Sequence, residues 1–200
     1  MIKRKDIKVI LIGNTGVGKT SIAYWLTYKR QCSVDPSSTI GASFFIKVLP
    51  YKNREVKLNI WDTAGQERFR SIVKMYYKNS SACLCIFDVT NRSSFDSLQS
   101  WISDYENNNN SSKYIMYIVA NKCDYPEEKW EISKKDIQNF SKKMGIKIFY
   151  TSYLTGMNIE LMFNQLVIDV IEHVYTPDDD INNIVLVQDN EYNEYNNCKC

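Results

Sequence analysis

The run IKVILIG at 7–13 is dense in β-branched residues and ends in glycine, the pattern of a buried strand that breaks into a turn. The spacing then predicts a helix over 19–30. KVLPYKN and VKLNIW read as two strands joined by a short turn around Lys52–Arg54. ACLCIFDV (82–89) is a further strand, SFDSLQSWISDYE (94–106) a helix and NNNNSS a polar loop. Strand YIMYIVA (114–120), helix SKKDIQNFSKKM (133–144), strand KIFYTS (147–152) and helix MNIELMFNQLVIDVIEHV (157–174) follow. Thr176-Pro177 stops the last helix. Apolar strands alternating with amphipathic helices predict an α/β fold: a six-stranded, mostly parallel sheet covered on both faces. Ligands on such sheets bind where the chain leaves the carboxyl ends of the strands, so those loops are where the chemistry is expected.

Composition places the chain among globular proteins: 44% hydrophobic, 24% charged and 200 residues, enough for one real core. The charge is uneven. From Thr176 onward six acids face only Lys199, so the tail carries −5 and the body +7 of the overall +2. Residues 1–175 are therefore expected as one domain and 176–200 as a flexible, polar tail. The six cysteines, at 32, 83, 85, 123, 198 and 200, lack the spacing of a disulfide scaffold and suit a reducing compartment. MIKRKD leads straight into a strand without a signal-peptide pattern, and no apolar run reaches the roughly 18 residues a membrane span needs.

Three loops carry chemistry. After the first strand, GNTGVGKT matches G-x-x-x-x-G-K-[ST] from Gly13 to Thr20. Polyphosphate needs several donors and a cation in one small concavity. Asn14, Thr15, Gly16, Val17 and Gly18 can turn backbone N–H groups inward, and the helix start adds its positive end. Lys19 would reach the terminal phosphates and the Thr20 hydroxyl would ligate Mg²⁺. Ser21 completes this expected nucleotide-binding stretch. After the third strand comes WDTAGQERF: Asp62 is placed to hold Mg²⁺ through water, Gly65 to offer its N–H to a γ-phosphate, and Gln66 to orient an attacking water as the catalytic residue. After the fifth strand, Asn121 to Asp124 read NKCD. The Asp124 carboxylate can accept from both N1 and the exocyclic amine of guanine, a donor pair adenine lacks. Asn121 would brace that pocket and the Lys122 stem would cover the base.

With these motifs in order, residues 5–174 resemble a small GTPase of the Rab family, a P-loop NTPase with the small G-protein fold. SSTIGASFF, WDTAGQERFRS, MYYKNSSA and FDVTNRSSF read like Rab segments, and TIGAS and MYY are similar to endosomal Rabs. The resemblance implies a GTP/GDP switch in vesicle traffic. Thr39 would complete the Mg²⁺ and γ-phosphate contacts, while Ser152, Tyr153 and Leu154 would back the guanine. The stretches around Thr39 and over Gly65–Tyr77 would be switches ordered by the γ-phosphate. Phe44, Trp61 and Tyr76 match the aromatic trio that Rabs present to effectors. The implied partners are an exchange factor, a GAP, effectors, an escort protein and a GDP-dissociation inhibitor, with no nucleic acid. The implied place is the cytoplasmic face of endomembranes, with an escort-bound cytosolic pool.

The chain departs from the family pattern at three positions. Thr15 stands where most Rabs have Ser, and its branched side chain predicts crowding of the attacking water. Cys32 stands where an aromatic ring normally covers the guanine, a loss of about 1–3 kcal/mol of stacking that Tyr28 is near enough to offset. Ser152-Tyr153-Leu154 replaces S-A-K, keeping a backbone donor but dropping the lysine's polar end.

The ending Cys198-Lys199-Cys200 matches the C-x-C terminus that many Rabs carry, where both thiols receive geranylgeranyl chains. One chain anchors only reversibly, and this acidic tail offers no basic patch, so both cysteines are expected to be needed. Ile184–Val187 is a candidate escort contact. His173, the single histidine, reads as a surface or packing residue. Two other readings stand beside the switch: a GTP-binding module with little turnover or weak retention, motivated by Thr15, Cys32 and Leu154, and a metabolic nucleotide kinase, which would need an arginine-rich lid that the sequence lacks.

Overall fold

The computed structural model describes residues 4–31, 39 and 41–175. Cys32, Ile184–Val187, Cys198 and Cys200 lie outside the described residues. Six strands form one sheet: β1 (Arg4–Ile12), β2 (Ala42–Tyr51), β3 (Arg54–Thr63), β4 (Ala82–Asp88), β5 (Ile115–Asn121) and β6 (Lys147–Tyr150). Their order is β2-β3-β1-β4-β5-β6, and only the β2–β3 pair is antiparallel. The helices are α1 (Lys19–Tyr28), α2 (Arg70–Tyr77), α3 (Arg92–Asp96), α4 (Leu98–Asn108), α5 (Lys134–Met144) and α6 (Ile159–His173).

Alternation along β1 builds the two cores. Ile7, Val9 and Leu11 face α1 and α6, whereas Ile10 and Ile12 face the other layer with Val73 of α2, Trp101 of α4 and Ile137 of α5. Every residue of β4 is buried, as a central parallel strand covered on both faces requires. Local chemistry agrees at the helix ends. The Ser133 side chain accepts from the Asp136 N–H to start α5, and Gly145 ends it in the left-handed conformation (φ 67°). Asn91 caps α3 in the same way, accepting from the Ser94 N–H.

The expected elements are all present; β2 begins at Ala42 rather than Lys47 and α1 ends at Tyr28 rather than 30, and there are three further differences. The helix expected over 94–106 is two, Arg92–Asp96 and Leu98–Asn108. At the break the Ser97 hydroxyl donates back to the Ser93 carbonyl at 2.8 Å, a contact that bends helices. Strand β6 stops at Tyr150 rather than 152; the Thr151 hydroxyl turns to the Asn121 side chain at the end of β5 and the Ser152 hydroxyl to Asp124 in the loop that follows. Arg70–Tyr77, expected as a switch with no element of its own, is an α-helix that buries Val73 and Tyr77. No helix among the described residues is long and apolar enough to cross a membrane.

Candidate functional site

The loops after β1, β3, β4, β5 and β6 meet at one edge of the sheet, and nearly all the described candidate residues lie there. Lys19 opens α1 with 5% of its surface exposed. Its ammonium donates to the carbonyls of Gly13 and Asn14, both at 2.8 Å. Burial pulls its pKa down to about 8, against the attraction of Asp62. Asp62 is fully buried, and burial pushes its carboxyl up, opposed by hydrogen bonds and by Lys19.

Three oxygens converge beside that pair. The Thr20 hydroxyl donates to Asp62 Oδ2 at 2.6 Å and lies 3.2 Å from the Thr39 hydroxyl. The other carboxylate oxygen, Asp62 Oδ1, is buried with no hydrogen-bond partner among the described residues. Hard oxygen donors around an orphaned, buried carboxylate oxygen fit Mg²⁺. Gly65 closes the site from β3. A Cβ there would lie 2.4 Å from the Thr15 nitrogen and 2.5 Å from the Lys19 ammonium, so only glycine lets the two loops touch. Gln66 does not point free: its Oε1 accepts from Arg68 Nε at 2.7 Å.

A second cluster sits along the same edge. Asn121, fully buried, donates from Nδ2 to the Val17 carbonyl at 2.8 Å and accepts from Thr151 Oγ1 at 3.2 Å. It thereby ties the loop after β1 to the loops after β5 and β6. The Ser152 hydroxyl donates to Asp124 Oδ1 at 2.5 Å and accepts from the Leu154 and Thr155 N–H groups at 3.2 Å. Asp124 is thus aimed by its neighbour while remaining exposed. Gln31 Nε2 donates to the Leu154 carbonyl at 2.9 Å, and Leu154 and Tyr28 are both exposed.

Phe44, Trp61 and Tyr76 form a separate feature. Phe44 and Trp61 are cross-strand partners with centroids 5.0 Å apart, and Tyr76 of α2 stacks on Trp61, also at 5.0 Å. Phe44 is 48% exposed, whereas Trp61 and Tyr76 are half-buried and pack against the second core, so the trio is an aromatic surface seated on that core.

Sequence reasoning missed two supporting residues. Asp88 ends β4, much as Asp62 lies one residue before the end of β3, and holds the Lys122 ammonium at 2.5 Å, orienting the stem expected over the base. An acid closing a buried strand was the available signal. Trp101 donates from Nε1 to Asn14 Oδ1 at 2.7 Å; an apolar position in a helix gave no such hint.

Residues 8–172 match the Ras family. A probable Rab-related GTPase of Acanthamoeba polyphaga mimivirus is 42% identical over 189 residues, covering 94% of this chain and 87% of that one. Rab-31 of Rattus norvegicus is 37% identical over 163 residues, 82% of each chain. Rab-26 of Bos taurus is 37% identical over 159 residues, 80% of this chain and 61% of its own length. The protein binds GTP and hydrolyses it to GDP, a nucleotide switch with regulators and effectors. The chain belongs to the Ras family of small GTPases, among its Rab-related members.

Proposed function

We propose that this GTPase acts in intracellular vesicle traffic, recruiting effectors to a membrane in its GTP state. The observation that carries the nucleotide half of this reading is the convergence of Thr20, Thr39 and Asp62 beside the buried Lys19 ammonium. Lys19 and the backbone of 14–20 take the phosphates, with Ser21 behind them. Thr20 and Thr39 would hold Mg²⁺, with Asp62 behind them, and the chemistry it would supply there is charge neutralisation on the phosphate oxygens. Asp124 and the backbone of Ser152–Leu154 select guanine, braced by Asn121 and covered by the Lys122 stem.

Hydrolysis needs Gln66 to leave Arg68 and turn toward the water that attacks the γ-phosphate. Unaided Ras-type turnover runs at about 10⁻⁴ s⁻¹, and the Thr15 side chain slows it further by crowding that water. A GAP supplies the missing charge, and an exchange factor resets the switch. Phe44, Trp61 and Tyr76 are the effector surface: exposed aromatics are costly on a free surface and favourable under a partner. Cys198 and Cys200 are the lipidation sites, delivered by an escort protein and later masked by a GDP-dissociation inhibitor. That makes the protein peripheral on endomembranes.

Nucleotide retention tests this reading. The protein is purified in Mg²⁺ and denatured, and the released nucleotide is identified chromatographically. About one equivalent of GDP or GTP is expected. An empty protein that also fails to bind added GTP would overturn the guanine pocket. Retention with no measurable turnover would favour the second reading, a binding module in which Thr15 has silenced hydrolysis.

A further inference from the structure

Trp101 is the second residue in a four-part chain that runs from α2 to the phosphate loop. Its indole is 2% exposed and packed within the second core, yet its one polar atom leaves that core. An indole N–H can only donate, so the Asn14 amide must present Oδ1 to it, at 2.7 Å. The amide nitrogen then faces Ser97 Oγ at 3.2 Å. Two residues of the α3–α4 segment therefore hold one side chain of the phosphate loop in a single orientation.

The same residue's backbone is in use twice. The Asn14 carbonyl accepts from the Lys19 ammonium at 2.8 Å. Its carbonyl carbon lies 2.5 Å from where a Cβ on Gly65 would stand, so the chain after β3 rests on this peptide. Asn14 is the unit on which the phosphate-binding cation and the γ-phosphate-facing glycine both lean.

The far face of Trp101 carries α2. The Arg70 guanidinium lies 4.6 Å from the indole centroid, pairs with Asp104 and donates from Nη2 to Ser100 Oγ at 2.6 Å. Lys74 adds a second cation to Asp104 at 3.5 Å. Arg70 and Gly65 sit in one stretch of chain, so any shift of α2 moves a load on both sides of the Asn14 peptide at once. A guanidinium on an indole face is a directional contact, lost on a shift of a few ångströms.

We infer that Trp101 is a positioning residue for GTP turnover: it fixes the Asn14 peptide and, through Arg70 on its ring, makes that peptide respond to the place of α2. The inference rests on the switch reading above, in which α2 moves with nucleotide state. Neither Trp101 nor Arg70 reaches the reacting atoms, and both act through Asn14, Lys19 and Gly65.

The test uses the full chain with Trp101→Phe, Arg70→Gln and the pair together; Phe keeps an aromatic face for Arg70 but removes the N–H along with the pyrrole half of the indole, and the thermal midpoint reads the cost of that lost volume. Hydrolysis of bound GTP in a single turnover, affinities for GDP and for a non-hydrolysable GTP analogue, and thermal midpoint are measured for each. Trp101→Phe is expected to slow turnover by roughly two- to tenfold, the worth of one hydrogen bond, and to lower the preference for the GTP analogue over GDP. Arg70→Gln, which also removes the half-buried ion pair with Asp104, is expected to act in the same direction, and the pair to slow turnover no more than Trp101→Phe alone, as for residues in one unit. Equal loss of affinity for both nucleotides with turnover intact would make Trp101 merely structural and overturn the inference. So would effects that multiply in the pair. A wild-type chain that binds no guanine nucleotide would overturn the switch reading and this inference with it.

Discussion

The Thr20 hydroxyl donates to Asp62 at 2.6 Å, joining the first turn of α1 to the end of β3 across 42 residues. That one bond satisfies one oxygen of a fully buried carboxylate and leaves the other without a partner among the described residues. Burial raises the Asp62 pKa, so its charge opposes folding of the empty protein near neutral pH. Asp62→Asn is therefore expected to raise the thermal midpoint of the nucleotide-free protein while weakening Mg²⁺-dependent nucleotide retention. Thermal unfolding with EDTA, beside nucleotide retention with and without Mg²⁺, checks both halves. A variant less stable when empty would mean that the attraction between Asp62 and Lys19 outweighs burial.

The Gly156 backbone packs against the Trp25 indole so closely that an added Cβ would stand 1.9 Å from a ring carbon, at a φ of +80° that L side chains resist. Trp25 lies in α1 and Gly156 in the loop whose Ser152 aims Asp124. Gly156→Ala is expected to destabilise the fold by about 1–3 kcal/mol, from overpacking and backbone strain together. It should also speed GDP release, because the loop must move away from α1. Denaturant unfolding and GDP dissociation kinetics measure these. Lost stability with unchanged release would show that the strain is absorbed in α1 alone.

Much of this was legible in the sequence, for a physical reason. Buried parallel strands are contiguous apolar runs, so the residues that follow them are marked as site loops even before any motif is read. The motifs GNTGVGKT, WDTAGQERF and NKCD then picked Lys19, Asp62 and Asn121 out of those loops, and each stands where an apolar run ends. The tie between Asn14 and Trp101 spans 87 residues, and a tryptophan at a helical core position looks the same whether or not its N–H has a partner. Helix α2 was missed because it spans only Arg70–Tyr77, too short for its apolar spacing to stand out inside a stretch read as a switch. The Ser97 break was invisible because serine is an ordinary helix residue until its hydroxyl finds the carbonyl four residues back.

Asp169 on α6 joins the helix layer to the far end of the sheet. Burial alone would raise its carboxyl, yet its pKa is lowered, because Lys147 at 2.8 Å, the Tyr117 hydroxyl at 2.6 Å and Gln165 at 2.6 Å all donate to it. A lowered folded-state pKa means stability that is present above the ordinary value of 3.8 and lost as pH falls through the folded value. Asp169→Asn is expected to cost about 1.5–3 kcal/mol at pH 7, with the gap to wild type closing below pH 3.8. Urea unfolding across pH 2 to 7 measures it. A gap that persisted at pH 2 would assign the effect to packing rather than to charge.

Cys123 occupies the middle of the Asn121–Asp124 loop, where its thiol donates to the Ala120 carbonyl at 3.2 Å. Burial pushes its pKa up to about 12 from an ordinary 9.0, more than its hydrogen bond with Thr151 pulls it back. Only the thiolate attacks alkylating reagents, so at neutral pH its reactive fraction is about a thousandfold below that of a free thiol. Alkylation of the native chain at pH 7, read by peptide mapping, is expected to leave Cys123 nearly untouched and to spare the fully buried Cys83 and Cys85. The Cys123 rate should climb about tenfold for each pH unit from 7 to 9, with no plateau. It should rise to that of an ordinary thiol on unfolding. A plateau near pH 8, below the ordinary thiol value of 9.0, would mean that opening of the base-binding loop limits the rate and that the opened thiol is modified faster than the loop recloses. Saturating GDP should then suppress the reaction, which separates loop opening from intrinsic acidity.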